Sequence, residues 1–375
     1  MIDCLYIHDT TRQVIDIIDV YESIIWDNYY FTVGKFEIYT PLTDQSLNDL
    51  KIGYYVTRPD RPNDAGIIEK CEITYTAGGM FMITASGRFV KSILDRRLIY
   101  DLSGNTVNPV IMRGNVETVA RNLVNISAIN ATDTARNIPF LKLGTAAGLT
   151  AKIIDNAGHA AQKQTSYGNL LEVTDDLLKE YNYGAYINID QDTQNLVYNV
   201  FEGIDRTLNS VNPLIFSQEY DNLLSSDYVL NTQNLKTAVL IGGEGQGVNR
   251  KYLMLAGDQT GINRREIFVD GSSNSQTYTD TNNVQQSYSD SEYLSMLNTA
   301  ALESLTKHTI TENFDGEIDL TNSGLKYGVD YSIGDAITII DNTLGITQNA
   351  RIAEVTEVQD DDGYKINVTF SKTGA

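Results

Sequence analysis

The chain has 375 residues and a formal charge of −21, from 49 acidic and 28 basic side chains, and 42% of its residues are hydrophobic. This length is typical of roughly two to four domains, and this composition is not that of a disordered chain. The acidic balance excludes nucleic-acid phosphates and anionic lipid as main binding targets, because a protein needs basic patches to bind either.

The residue types that hold metals or disulfides are sparse. Cys4 and Cys71 are too few for a disulfide framework or a zinc site, and His8, His159 and His308 lack metal-ligand spacing. The N-terminal sequence has no basic run followed by an apolar stretch, and no run of about 18 apolar residues occurs. We therefore expect no signal peptide, no membrane span and no cofactor, in a protein that folds in a reducing compartment.

The first 104 residues predict a β domain, because apolar and polar side chains alternate along them. The domain fits a small antiparallel barrel or sandwich, and its last hairpin turns at Ala77, Gly78 and Gly79. A short helix is predicted over 89–99, directly after Gly87. The predicted strands and the hairpin cover 13–26, 30–40, 51–58 and 66–87.

In residues 105–205 the spacing of apolar residues is no longer only the alternation typical of strands but includes the spacing typical of helices. This stretch therefore predicts an α+β domain. Apolar residues recur at helical spacing over 114–127, and Asn115 is a suitable N-cap for this helix. A second helix is predicted over 169–182, and a strand hairpin over 185–203 closes the domain.

Residues 241–309 are predicted as an insert of mixed structure. Its hairpin has strands at about 235–243 and 251–257. The stretch 270–292 is polar and predicts a long loop or mobile segment. A helix over 290–307 ends the insert.

Residues 206–240 together with 310–375 predict a second β domain, whose last strands alternate like those at the start of the chain. The predicted fold class is therefore β-rich α+β, with two small antiparallel barrel-like β domains bracketing α+β inserts. No residue-level repeat accompanies this duplicated architecture.

Two stretches invite a ligand hypothesis. Gly242–Lys251 is glycine-rich but lies between two predicted strands, which favours a hairpin loop over a phosphate-binding loop. Asp360–Gly363 holds consecutive acids between strands, which favours a solvated turn over a calcium loop. No nucleophile, base or metal constellation is found, so we predict no enzymatic activity.

The C-terminal part carries a resemblance to a known family. The series Leu325–Ile339, which contains Tyr-Gly-Val-Asp-Tyr-Ser-Ile-Gly-Asp, is followed by Ala350–Val355. This order resembles the closing β domain of phage tail-hub proteins, a group that includes the tail-associated proteins (Tal) of siphophages, the siphovirus Gp37-like proteins and the myophage baseplate hub.

The front half shows the same resemblance. The strand Ile83–Gly87, the following Arg88–Leu94 and the doublet Arg96-Arg97 resemble the exit of the hub's first β domain, and Asn115–Ala120 resembles the helix that opens its second domain. Longer relatives append fibres or cell-wall hydrolases beyond the last strand. We expect no such extension here.

The resemblance implies a structural protein of the virion tail tip, made in the cytoplasm of the bacterial host. It implies a homotrimeric ring that adapts a six-fold tail tube to a three-fold tip and that closes or opens the DNA exit channel during adsorption and genome ejection. The implied partners are the distal tail protein, other baseplate or tail-tube proteins, receptor-binding proteins and the tape-measure protein. Viral DNA passes without specific binding, and carboxylates around a channel would repel its phosphates.

Four residues are singled out for structural roles: Gly334, Asp335, Arg351 and Gly87. Gly334 lets the chain turn where a side chain would clash, and Asp335 accepts local backbone hydrogen bonds as a strand begins. Arg351 is expected to pair with an acid such as Asp335 or Glu354. Two alternatives remain open, namely a carbohydrate-binding host-adhesion module and a hydrolase with an unrecognised site.

Overall fold

The computed structural model describes residues 2–103, 106–108, 110–149, 161–165, 167–220, 222–279, 284–318, 324–343 and 345–372. We use four names for parts of the chain. They are the first β segment (1–104), the α+β segment (105–205), the second β segment (206–240 and 310–375) and the insert (241–309).

The first β segment folds into antiparallel strands with one short helix, α1, at Asp44–Asp49. The single long strand predicted over 13–26 is wrong, because the chain leaves the sheet after Ile18 and re-enters it at Ser23. The helix predicted after Gly87 is a 3-10 helix, Val90–Arg96. The strands are β1 Leu5–His8, β2 Val14–Ile18, β3 Ser23–Tyr29, β4 Lys35–Pro41, β5 Tyr55–Arg58, β6 Arg61–Tyr75, β7 Phe81–Phe89 and β8 Asp101–Ser103.

The α+β segment contains the two predicted helices, α2 at Val116–Val124 and α3 at Leu170–Glu180. The Asn115 side chain accepts a hydrogen bond from the Thr118 N–H at 2.8 Å, as expected of an N-cap. A π-helical turn at Asn125–Ile129 extends α2. The strands are β9 Thr106–Asn108, β10 Val110–Gly114, β11 Leu141–Leu143, β12 Ala161–Thr165, β13 Gly184–Ile189 and β14 Leu196–Phe201.

In the insert, helix α4, Asp290–Lys307, covers one face of a small sheet in the order β18-β17-β19. The prediction of a structureless polar stretch is corrected, because β20 and β21 pair as an antiparallel hairpin with Thr277 opposite Ser287. Residues 280–283 of that stretch lie outside the described residues. The strands of the second β segment and the insert are β15 Ile215–Ser217, β16 Leu223–Asn231, β17 Ala238–Gly242, β18 Tyr252–Ala256, β19 Glu266–Asp270, β20 Thr277–Thr279, β21 Gln285–Ser287, β22 Thr311–Ile318, β23 Ala336–Asp341, β24 Ile346–Asp360 and β25 Gly363–Lys372.

The two β segments share one sheet. In the described residues, 13 strands connect in a path that runs β16-β22-β25-β24-β3-β4-β7-β6-β5-β1-β2, with β23 and β15 branching from β24. The seam is the antiparallel pairing of β24 with β3, where Val355 lies opposite Asn28. This α+β, β-rich architecture matches the predicted fold class. Over these residues no sheet closes into a barrel, so the barrel-like description is corrected to an open sheet.

Separate cores lie on the sheet and beside it. In the first β segment, the buried Trp26 ring packs between Phe36 and Phe89, with centroids 5.6 and 5.1 Å away. In the second, Phe216 packs against Tyr331 and Phe370. The helices of the α+β segment pack on a further apolar cluster that includes Val90, Ile93 and Leu94 of the first β segment. The insert has its own cluster under α4. The boundaries of the segments remain a prediction.

Candidate functional site

Tyr30, just after β3, is the residue at which three segments meet. Its hydroxyl donates a hydrogen bond to the Asn182 carbonyl at 3.0 Å and accepts one from the Gly203 N–H at 3.3 Å, both in the α+β segment. The Arg351 guanidinium of the second β segment lies 5.2 Å from the ring centroid. The buried ring is thus a structural joint between the first β segment and the other two.

Gly334 lies against this ring with a backbone φ of +87°, a conformation that favours glycine. A Cβ placed on Gly334 would lie 2.3 Å from the Tyr30 ring, and one placed on Gly203 would lie 1.7 Å from the Gly334 carbonyl oxygen. Two glycines therefore allow two chain segments and an aromatic ring to approach closely at one point.

Asp335 is buried beside this contact and connects the second β segment to the end of the α+β segment. Its carboxylate accepts hydrogen bonds from the Ser332 N–H at 3.0 Å and the Ile204 N–H at 2.9 Å. Arg206 Nε donates the third, also at 2.9 Å. Arg351 was expected to pair with an acid such as Asp335 or Glu354, and the described residues show an ion pair with neither; Arg351 instead donates to the Gly334 carbonyl.

Gly87, the fourth predicted residue, lies away from this junction, on β7. A Cβ at Gly87 would lie 1.9 Å from the Ile67 carbonyl oxygen, next to a bulge between Ile68 and Lys70 in β6. The bulge places an extra residue of β6 opposite β7, and a glycine on β7 leaves room for the two strands to approach there.

A second buried contact between distant parts of the chain was missed by the sequence reasoning. Arg58 on β5 forms a bidentate ion pair with Glu357 on β24, with N–O distances of 2.7 and 3.1 Å. The other donors of Arg58 bind Asp60, and Tyr364 donates to Glu357. No local pattern signals this pair, because its members are 299 residues apart.

The same region encloses a cavity of about 360 Å³ that all three segments line. Asp64, at the start of β6, presents a buried carboxylate there, which accepts from Asn28 Nδ2 at 3.0 Å and from Trp26 Nε1 at 3.4 Å. Burial, together with the charge of Glu357, raises the pKa of Asp64 to about 6.

Exposed apolar side chains mark two surfaces suited to protein contact. One is the hairpin tip formed by Ile73, Tyr75, Met80 and Phe81, each at least half exposed. The other is the face of the small insert sheet that does not contact α4, where Tyr252, Met254 and Phe268 lie exposed. Aromatic residues and Met are enriched at protein interfaces.

The described residues contain no group of three or more His, Cys, Asp and Glu side chains placed to hold a metal ion. In the same residues, no helix is long and apolar enough to cross a membrane.

The sequence profile of the family described as Siphovirus ReqiPepy6 Gp37-like protein matches residues 4–372. A comparison with curated protein sequences finds no match. The chain is similar in structure to the tail protein from Neisseria meningitidis MC58, with a TM-score of 0.58, 15% identity, and coverage of 99% of this chain and 97% of that one.

Two prophage proteins show the same similarity of fold. The 43 kDa tail protein of prophage MuSo2 from Shewanella oneidensis aligns with a TM-score of 0.57 and 12% identity, over 98% of each chain. The prophage tail protein gp18 from Listeria monocytogenes EGD-e aligns with a TM-score of 0.52 and 14% identity, over 99% of this chain and 94% of that one.

Proposed function

Because the chain belongs to the Siphovirus ReqiPepy6 Gp37-like family and has the fold of phage tail proteins, we propose that it is the structural hub of a tail tip. In this role three copies form a ring around the DNA exit channel and adapt a six-fold tail tube to a three-fold tip. The protein acts by assembly and not by catalysis, as a virion component made in the host cytoplasm.

The observation that carries this proposal is the open sheet that contains both β segments. Among the described residues, β16 at one end of the sheet pairs only with β22. Near the other end, the C-terminal half of β6, from Lys70 to Tyr75, pairs only with β7, because β5 leaves β6 after Ile67. In the described part of the chain, these two edges are unpaired in addition to β2, the last strand of the path, which pairs only with β1.

The backbone of β6 is oriented to accept a further strand. The Thr76 N–H donates to the Met80 carbonyl at 2.9 Å, which fixes the hydrogen-bonded side of the hairpin. Bonded and non-bonded pairs alternate along an antiparallel ladder, so the N–H groups of Ile73 and Tyr75 point away from β7. Unpaired donors and acceptors of this kind are a template for another chain.

We infer that this β6 edge of one copy pairs with the β16 edge of the next. A contact between two different surfaces is heterologous, and it forms a closed ring when the rotation per subunit closes. Three copies, each with a formal charge of −21, then surround the channel. Carboxylates facing its lumen would repel phosphates and let DNA slide through.

The partners that fit this role are the distal tail protein and tail-tube or baseplate proteins, with receptor-binding proteins attached through the baseplate and the tape-measure protein inside the tube. The exposed hairpin tip and the open face of the insert sheet are the surfaces offered to them.

Gating is assigned to the α+β segment and the insert. The end of α4 is tied to α3 by an exposed ion pair, Lys307 Nζ to Asp176 Oδ2 at 2.5 Å, and such pairs contribute little to stability. In a resting tip these parts converge on the three-fold axis, and in an activated tip they swing outward while the sheet stays fixed. Electron microscopy of both states tests this, and positions on the outer rim in both would contradict it.

The ring is tested by sedimentation velocity of two matched edge variants. Ile73→Lys places a charge on the proposed β6 edge, and Ile17→Lys places one on β2, where the side chain is similarly exposed (50% and 47%). We expect Ile73→Lys to abolish trimers and Ile17→Lys to retain them. Equal behaviour of the variants would refute the β6 contact, and a wild-type monomer that binds glycans would favour the adhesion alternative.

A further inference from the structure

The cavity between the three segments has the size and lining of a ligand site. Its volume of about 360 Å³ lies within the range of small-molecule pockets, roughly 300–1,000 Å³. Aromatic rings contributed by each segment line it, among them Tyr29, Tyr186, Phe201 and Tyr327. Exposed residues at its rim, such as Asn63, leave it open to small solutes.

Both cations that line the cavity are already neutralised. Lys91 Nζ lies 2.9 Å from Asp175. The Arg61 guanidinium lies 3.6 Å from Asp60 and 4.0 Å from Glu357, and it covers the Tyr327 ring at 4.3 Å. An anionic ligand would therefore find no free positive charge among them.

Two of the lining carboxylates are neutralised as well. Asp335 pairs with Arg206 at 2.9 Å, and Asp60 pairs with Arg58 at 2.7 Å. Asp64 differs from them, because among the described residues no Lys, Arg or His nitrogen lies within 4.0 Å of its carboxylate. Its two hydrogen bonds come from the neutral side chains of Asn28 and Trp26.

We propose that this cavity binds a small organic ammonium ion, with Asp64 as its counter-ion. Arg58 and Arg61 act on the Asp64 carboxylate only from beyond contact distance. A buried carboxylate with no cation in contact is costly, and a ligand that supplies a positive charge there lowers that cost. Aromatic faces attract ammonium groups, most strongly where water is excluded. A divalent metal fits poorly, since Ca²⁺ takes six or more oxygen ligands and the described residues hold no such cluster.

The hydrogen bonds of Asp64 specify the kind of ammonium. A carboxylate offers about four acceptor positions, and Asn28 and Trp26 occupy two of them. A primary ammonium ion can donate to those that remain, whereas a quaternary ion cannot. The bound cation touches walls from three segments at once, so its binding would fasten the segments together.

Isothermal titration and thermal unfolding of the full chain test the site. The probes are butylammonium at neutral pH, tetramethylammonium, the neutral analogue 1-butanol and the anion butyrate. We expect butylammonium to bind most tightly and to raise Tm by about 2 °C at ten times its Kd, with no shift from butanol or butyrate.

The variant Asp64→Asn keeps the size of the side chain and removes its charge, and we expect it to weaken butylammonium binding about 10- to 100-fold. The control Asp192→Asn, on the exposed β13–β14 turn, should bind like wild type. Butylammonium binding that is absent, unchanged in Asp64→Asn, or no tighter than that of butanol would overturn the proposal. None of these outcomes depends on whether the protein forms rings.

Discussion

Arg58 and Glu357 form a fully buried ion pair that joins β5 to β24, with their closest atoms 2.7 Å apart. Glu357 lies opposite Trp26 in the seam at which β24 pairs with β3. Tyr364 and Asp60 complete its hydrogen bonds. The pair therefore reports on whether the two β segments are correctly joined.

Removing one partner should be costly. Arg58→Met leaves the buried Glu357 with the Tyr364 hydroxyl and, at 4.0 Å, the Arg61 guanidinium as its remaining partners, and we expect the free energy of unfolding to fall by up to about 3–5 kcal/mol. Denaturant titration of wild type and variant measures this. The control Arg88→Met removes a bidentate pair with Glu69 and a contact with Asp95, all of them partly exposed, and it should cost about 1 kcal/mol, well below Arg58→Met.

The double variant Arg58→Met, Glu357→Leu tests whether the stability lost in Arg58→Met comes from the unpaired charge of Glu357. Since both charges are gone, most of the lost stability should return. If Arg58→Met costs no more than Arg88→Met, the pair does not stabilise the joined sheet and this part of the account is wrong.

Gly334→Ala should destabilise the protein through two effects. The left-handed backbone costs about 1–2 kcal/mol for a residue with a Cβ, and the clash with Tyr30 adds roughly 1–3 kcal/mol. Gly53→Ala is the control, because Gly53 has nearly the same φ (+86° against +87°) but open space around its Cβ position. Thermal unfolding should give Gly334→Ala a clearly lower Tm than Gly53→Ala, and equal Tm values would exclude a contribution from the clash.

Asp64 gives the stability a defined pH dependence. Its pKa is raised from an ordinary 3.8 to about 6 in the folded protein, chiefly by burial, so the folded state holds this proton more tightly than the unfolded state. Stability contributed by the protonated carboxyl is present at pH 4 and is lost as pH rises through 6. The loss is at most about 3 kcal/mol.

The measurement is the difference in unfolding free energy between wild type and Asp64→Asn from pH 4 to pH 7, without amines. Other titrating groups, such as the buried His8 whose pKa burial lowers, largely cancel in this difference. Wild type should lose stability relative to the variant as pH rises. A difference that is constant over this range would show that Asp64 titrates at its ordinary pKa.

Sequence reasoning succeeded where the signal is local. Helical periodicity and an N-cap such as Asn115 predicted α2, and similar periodicity predicted α3 and α4. The hairpin turn at Gly78 and Gly79 is also local, because glycine meets the turn's conformational demand.

Sequence reasoning failed where the strands or side chains that contact each other are far apart in the chain. Alternation predicts a strand but does not say which strand lies beside it, so the seam of β24 with β3 and the open sheet were missed. Arg351 was expected to pair with a nearby acid such as Asp335 or Glu354, yet Arg206, which is 129 residues from Asp335, binds the Asp335 carboxylate. The cavity exists only where three distant segments meet, and no single motif encodes it.

Cryo-electron microscopy of the purified protein at high concentration, alone and with the distal tail protein, tests the central claim most directly. The account predicts three-fold rings with three times the 41.7 kDa mass of one chain, a channel along the three-fold axis, and density that continues from the β6 edge of one copy into β16 of the next. Monomers under both conditions, or rings whose contacts leave both edges free, would contradict it.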